Sequence, residues 1–138
     1  MKAKIECRWL ENMAFETEIN DHIIIMDADE MSGGNNLGPR PKALTLASLA
    51  GCTGMDVISI LKKMQVNPEE FYISVEGELT EEHPRYYEKI MITYHFKGDN
   101  LPMDKLKKAI ELSQEKYCGV SAMLRKGTEV GYELKIEE

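Results

Sequence analysis

Residues 41–64 read PKALTLASLAGCTGMDVISILKKM, and none of the thirteen positions from Ala43 to Met55 is charged. Pro41 suits the first helical turn, where its missing N–H removes no bond. Lys62 and Lys63 suit the carbonyl end. The stretch is predicted as one helix from Pro41 to Met64, apolar nearly all round. Gly51 and Gly54 each cost roughly 1 kcal/mol against alanine inside a helix, so their expected use is to let another backbone or helix approach beside Cys52. A helix without a polar side needs cover on every face, and one small sheet covers only one. A homodimer that shares two such helices between sheets is the expected solution.

Upstream, Ala3, Ile5, Cys7 and Trp9 alternate with Lys2, Lys4, Glu6 and Arg8, the pattern of a half-buried strand. Phe15 to Ile19 and HIIIMD (22–27) add two more, giving an antiparallel meander with no helix before residue 40. DADEMSGGNNLGPRP (27–41) reads as a loop long enough to carry a function. Downstream, Phe71, Ile73, Val75 and Leu79 form a strand, EEHP turns the chain, and Ile90, Ile92, Tyr94 and Phe96 share one face of the return strand. Asp104 to Tyr117 reads as an amphipathic helix with Leu106, Ile110, Ser113 and Tyr117 on its stripe. A short helix, Val120 to Lys126, is stopped by Gly127. Val130 to Ile136 closes the chain as a strand. This order is α+β, and 138 residues fit a single domain spanning 1–138.

The 17 basic residues are scattered among 24 acidic ones, with net charge -7, so phosphates meet no continuous cationic track and nucleic acid is not an expected partner. No secretory leader and no uninterrupted run of 18 apolar residues is read, so the expectation is a cytoplasmic protein outside the membrane. His22, His83 and His95 lack paired ligand spacing and read as surface or edge residues. Asp27, Asp29 and Glu30 lack the spacing of a calcium loop. No metal and no cofactor is expected.

Cys7, Cys52 and Cys118 match neither a zinc pattern nor a disulfide framework, which leaves buried small hydrophobes or reactive thiols. Cys7 falls on the apolar side of its strand and reads as buried. Cys52 lies in an apolar helix, where desolvation raises a thiol's pKa. Cys118 precedes a predicted helix whose free N–H groups favour a thiolate, so local physics makes it the readier nucleophile.

GPRPKALTLASLAGCTGMDVISILKKM followed by LSQEKYCGVSAML resembles the OsmC/Ohr superfamily of osmotically inducible and organic hydroperoxide resistance proteins, in its OsmC-like branch, and the resemblance extends along the whole chain. It implies antiparallel sheets wrapped around long central helices in an intertwined homodimer. It also implies a peroxidase for organic hydroperoxides, in oxidative stress defence. Cys52 would be oxidised to a sulfenic acid, Cys118 would resolve it as a disulfide, and a dithiol, of lipoyl type in the Ohr branch, would restore both. A family member's thiol pair makes chemical sense because a sulfenic acid survives only when a nearby thiol captures it. Leu49, Met55 and Met123 are the expected apolar pocket walls. Peroxidases of the group carry an activating glutamate just past the helix-initiating proline, together with an arginine. This chain has Lys42 and Ala43 after Pro41, leaving Arg40 and Lys42 as the activating candidates. That departure keeps open a redox-sensing or ligand-binding protein without efficient turnover, and beyond it a structural module with inert cysteines.

Overall fold

A computed structural model describes all 138 residues, which form two compact units, Met1–Thr45 and Leu46–Glu138. In the first unit, β1 (Cys7–Trp9), β2 (Phe15–Ile19) and β3 (His22–Met26) pair antiparallel in that order. This is the expected meander with a shorter first strand. Register places Cys7 opposite Thr17, and Trp9 opposite Phe15, which faces Met26 across the next pair. These side chains therefore share one face. Cys7, expected to be buried, is exposed, and Trp9 is 65% exposed. Their face borders an open apolar hollow of about 420 Å³, lined by Cys7, Met13, Phe15, Met26 and Arg40 among others.

The loop after β3 is organised by the buried Asp27. Its carboxylate accepts the N–H groups of Ala28 at 2.7 Å and of Asn35 and Leu37 at 3.1 Å. Gly38 packs so tightly on β3 that a Cβ there would lie 2.0 Å from Ile25 O. One short helical turn, Glu30–Ser32, capped by Asp29, interrupts a segment expected to hold no regular structure.

α1 runs Pro41–Lys63. Leu49, Thr53, Val57 and Leu61 are buried, a stripe with the four-residue spacing of one helix face. Ala43, Ala47, Gly51, Met55 and Ser59, spaced by four on another face, are exposed. The chain thus covers one side of a helix expected to be buried nearly all round. By length and composition α1 could cross a membrane, with mean hydropathy 1.6 over its most apolar stretch, of which 22% is buried. Gly54 meets Ile73 Cδ1, which would lie 3.1 Å from an added Cβ, whereas a Cβ at Gly51 would meet nothing within 4 Å. Close approach thus explains Gly54 and leaves Gly51 on the open side.

The second unit's sheet has the order β4 (Glu70–Leu79), β5 (Tyr87–Lys97), β6 (Glu129–Ile136). β4 and β5 form the expected long hairpin, but β6 lies parallel to β5, so this sheet is mixed rather than purely antiparallel. Parallel neighbours need a crossover, and that crossover contains α2 (Met103–Leu112), a widened turn (Ser113–Tyr117) and α3 (Gly119–Leu124). Ile90, Ile92, Tyr94 and Phe96 bury one face against Leu49, Val57, Leu61, Leu106 and Ile110. Each large aliphatic or aromatic side chain buried there contributes about 1.5–3 kcal/mol. On the other face His95, expected at the surface, is buried. Its ring stacks on Tyr72 and bridges Ser74 Oγ at 2.9 Å and Glu137 Oε1 at 2.5 Å.

Candidate functional site

Cys52 is half-buried on α1, and Cys118 is 3% exposed. Cys118 sits where the widened turn hands over to α3. Its N–H reaches back five residues to Ser113 O at 2.7 Å, and its sulfur accepts the Ser121 N–H at 3.4 Å as the cap of α3. The predicted continuous helix from Asp104 to Tyr117 therefore stops being α-helical at Ser113. Tyr117, expected on the buried stripe, is exposed because the five-residue turn changes the phase of everything after it.

Asp56 follows Cys52 by one turn, on the same face of α1. The two sulfurs and a carboxylate oxygen of Asp56 all lie within 4.8 Å of one another. Two sulfurs and one oxygen form a donor set suited to a borderline-soft ion such as zinc. The same two sulfurs can also join as a disulfide once they close to about 2.05 Å.

A buried polar network stands beside the thiols. Ser113 Oγ donates to Asp56 Oδ2 at 2.9 Å and meets Thr53 Oγ1 at 2.7 Å, which in turn meets Tyr94 OH at 2.6 Å. Gln114 Nε2 donates to Thr53 Oγ1 and Tyr94 OH at 3.1 and 2.9 Å. Its Oε1 accepts from Ser121 Oγ at 2.8 Å and from Arg125 at 2.7 Å. Counting hydrogens orders the chain. Ser113 uses its one hydrogen on the carboxylate, so Thr53 donates to Ser113 and Tyr94 donates to Thr53. The direction runs from Tyr94 to Asp56. Burial pushes the Tyr94 hydroxyl up to about 12, against the opposing hydrogen bonds of Thr53 and Gln114, so it remains a donor across the neutral range.

Burial also pushes the Cys118 thiol up; the Ser121 N–H opposes this without overcoming it, and the neighbouring Cys52 adds to the rise. The place of Cys118 before a helix therefore does not lower its thiol pKa, contrary to the expectation. α3 has only six residues, and its end does not offset the desolvation of the sulfur.

Arg40 serves the first unit's loop, donating to Asp27 O at 3.1 Å and to Asn36 Oδ1. Lys42 is exposed. Leu49 is fully buried in the core, Met55 is 73% exposed and Met123 is 66% exposed. Only Met55 of these three lines the open groove of about 600 Å³ formed with Ala50, Gly54, Ile58 and Phe71 among others. Leu49 belongs to α1's buried stripe. Sequence reading missed Asp56, Ser113's partners, Gln114 and Arg125. Only Asp56 gave a usable signal, its spacing of four from Cys52.

The model of the family described as OsmC-like protein matches residues 33–133. The chain belongs to the OsmC-like family. A curated relative, protein YhfA of Escherichia coli K12, is 29% identical over 137 residues, covering 99% of this chain and 98% of its own. A crystal structure of a protein from Aquifex aeolicus VF5 is 32% identical and covers 100% of both chains, with a TM-score of 0.82. The fold is shared with an organic hydroperoxide resistance protein OsmC from Legionella pneumophila, at 16% identity, TM-score 0.60, and coverage of 95% of this chain and 99% of that one.

Proposed function

We propose that this OsmC-like protein is a thiol-dependent peroxidase that reduces organic hydroperoxides. The observation that carries this reading is the approach of Cys52 and Cys118, whose sulfurs lie within 4.8 Å of one another although 66 positions separate them in the chain. Cys52, the less buried sulfur, attacks the hydroperoxide as thiolate, releasing an alcohol and leaving a sulfenic acid. The Cys118 sulfur then displaces water from it, and a disulfide forms. A dithiol, of lipoyl type in this reading, reduces the disulfide by exchange. The chain works as one OsmC-like domain in a cytoplasmic homodimer, in which the open stripe of Ala43, Ala47, Gly51, Met55 and Ser59 on α1 meets its copy.

The test mixes reduced protein with cumene hydroperoxide and follows both peroxide and free thiols. Loss of two thiols per chain, from Cys52 and Cys118, with stoichiometric loss of peroxide is expected. Peroxide left untouched with both thiols still titratable ends the reading.

A second reading is an OsmC-like redox sensor or ligand-binding protein without efficient turnover. Lys42 and Ala43, standing where the family's peroxidases carry an acid, and the apolar hollow beside Cys7 favour it. It predicts a disulfide that forms slowly, and steady peroxide consumption with a dithiol excludes it.

A further inference from the structure

We infer that Asp56 is the proton acceptor for the disulfide-forming step, an assignment that rests on the peroxidase reading above. The step is Cys118–SH plus Cys52–SOH giving the Cys52–Cys118 disulfide plus water. The sulfur–sulfur bond forms as the Cys52 sulfur–oxygen bond breaks. The Cys118 thiol proton must leave its sulfur, and the departing hydroxide must gain one. A carboxylate near both sulfurs can take the thiol proton and pass that same proton to the departing hydroxide, which leaves as water, so atoms and charge balance with the hydroperoxide as the only oxidant.

Three observations place Asp56 in that role. Its oxygen shares the 4.8 Å neighbourhood of both sulfurs, within reach directly or through one water. The Ser113 hydroxyl donates to Oδ2 at 2.9 Å, which fixes the position of the carboxylate. The chain from Tyr94 through Thr53 to Ser113 donates toward the carboxylate at every link, so the side chain is fixed in place by a buried network. Cys118 has particular need of a base: it is buried and its thiol is pushed up, so its thiolate is scarce near neutrality.

The experiment separates the two oxidation steps in the full-length protein. Cys118→Ser isolates the first step, read as sulfenic acid on Cys52 after a pulse of cumene hydroperoxide. The second is read as the rate of disulfide formation by quenched-flow alkylation and mass spectrometry, from pH 5 to 9. With the base present, that rate is expected to be nearly flat between pH 6 and 8. In Asp56→Asn it should fall about 100-fold at pH 7 and rise tenfold per pH unit, following the Cys118 thiolate. Cys52 sulfenic acid, read separately, should still form in that variant and then advance to sulfinic acid. Asp56→Glu should recover part of the rate and the flat profile. A disulfide rate in Asp56→Asn equal to the unmodified protein's overturns the assignment while leaving the peroxidase reading intact. Absence of sulfenic acid on Cys52 in Cys118→Ser overturns that reading, and the assignment with it. If Asp56→Asn does not fold, the unmodified protein's profile decides: a tenfold rise per pH unit from 6 to 8 rejects Asp56 as the base.

Discussion

Gln114 shows how little freedom the thiol neighbourhood has. Its amide donates to Thr53 and Tyr94 and its carbonyl accepts from Ser121 and Arg125, so an inverted amide would set donors against donors. Removing one member leaves others unpaired in a buried site, and Tyr94→Phe is expected to cost about 1–3 kcal/mol, measured by chemical denaturation. The three cysteines should also separate by reactivity. With iodoacetamide at pH 8, exposed Cys7 should alkylate first and Cys118 at least about tenfold more slowly, because alkylation follows access and thiolate fraction. Mass spectrometry of timed samples reads this directly. Asp27 supplies a pH dependence. The Leu37 N–H first, then those of Ala28 and Asn35 and the Arg40 charge, hold its carboxyl below the ordinary 3.8 despite burial. A depressed carboxyl stabilises fully above its ordinary value and loses that contribution as pH falls through the folded one. Trp9, the single tryptophan, bonds Asn12 O, and the Asn12 amide bonds Gly33 O in the loop. Its fluorescence should therefore stay constant down to about pH 4 and change below it, while Asp27→Asn should show the altered signal already at pH 7.

Among the elements, those with a local period could be read from the sequence and those set by distant partners could not. α1 was marked by its charge-free run, its proline start and its lysine end. The β4–β5 hairpin was marked by alternation on both sides of EEHP. The widened turn was invisible, since SQEKY carries nothing that distinguishes a five-residue turn from another turn of α-helix. The Cys118 N–H bond to Ser113 O reveals it. Parallel pairing of β6 was equally hidden, because Val130 to Ile136 alternates the same way in either direction. The network joining Thr53, Tyr94, Ser113 and Gln114 draws on α1, β5 and the crossover, which only tertiary packing assembles. Two changes test the elements. Deleting Lys116 should restore an α-helical phase and turn residue 118 by about 100°, so that peroxide no longer drives a Cys52–Cys118 disulfide, as seen by thiol mapping. Gly38→Ala forces a Cβ onto Ile25 O; it should loosen the loop over 27–41 and make it the first site of limited proteolysis.

For the whole molecule, the uncovered side of α1 carries the sharpest consequence. Gly51 has open space where a side chain would stand, so Gly51→Ala in a lone chain should gain about 1 kcal/mol of helix propensity. If a second copy packs there, a larger residue must do the reverse. Gly51→Leu is expected to shift the protein from dimer to monomer and lower its thermal midpoint, read by sedimentation and calorimetry. The dimer is an expectation from α1's composition, whereas the exposure of Cys7 shows that alternation alone does not say whether anything covers a strand's apolar side. Finally, Cys118 is carried by the segment linking two parallel strands, and β6, which follows it, anchors the far side of that segment. During synthesis Cys7 and Cys52 leave the ribosome long before β6 exists. Any oxidation at that stage has the wrong companions. Because β6 follows the segment that carries Cys118 and pairs with β5, the approach of the two sulfurs depends on β6 being in place.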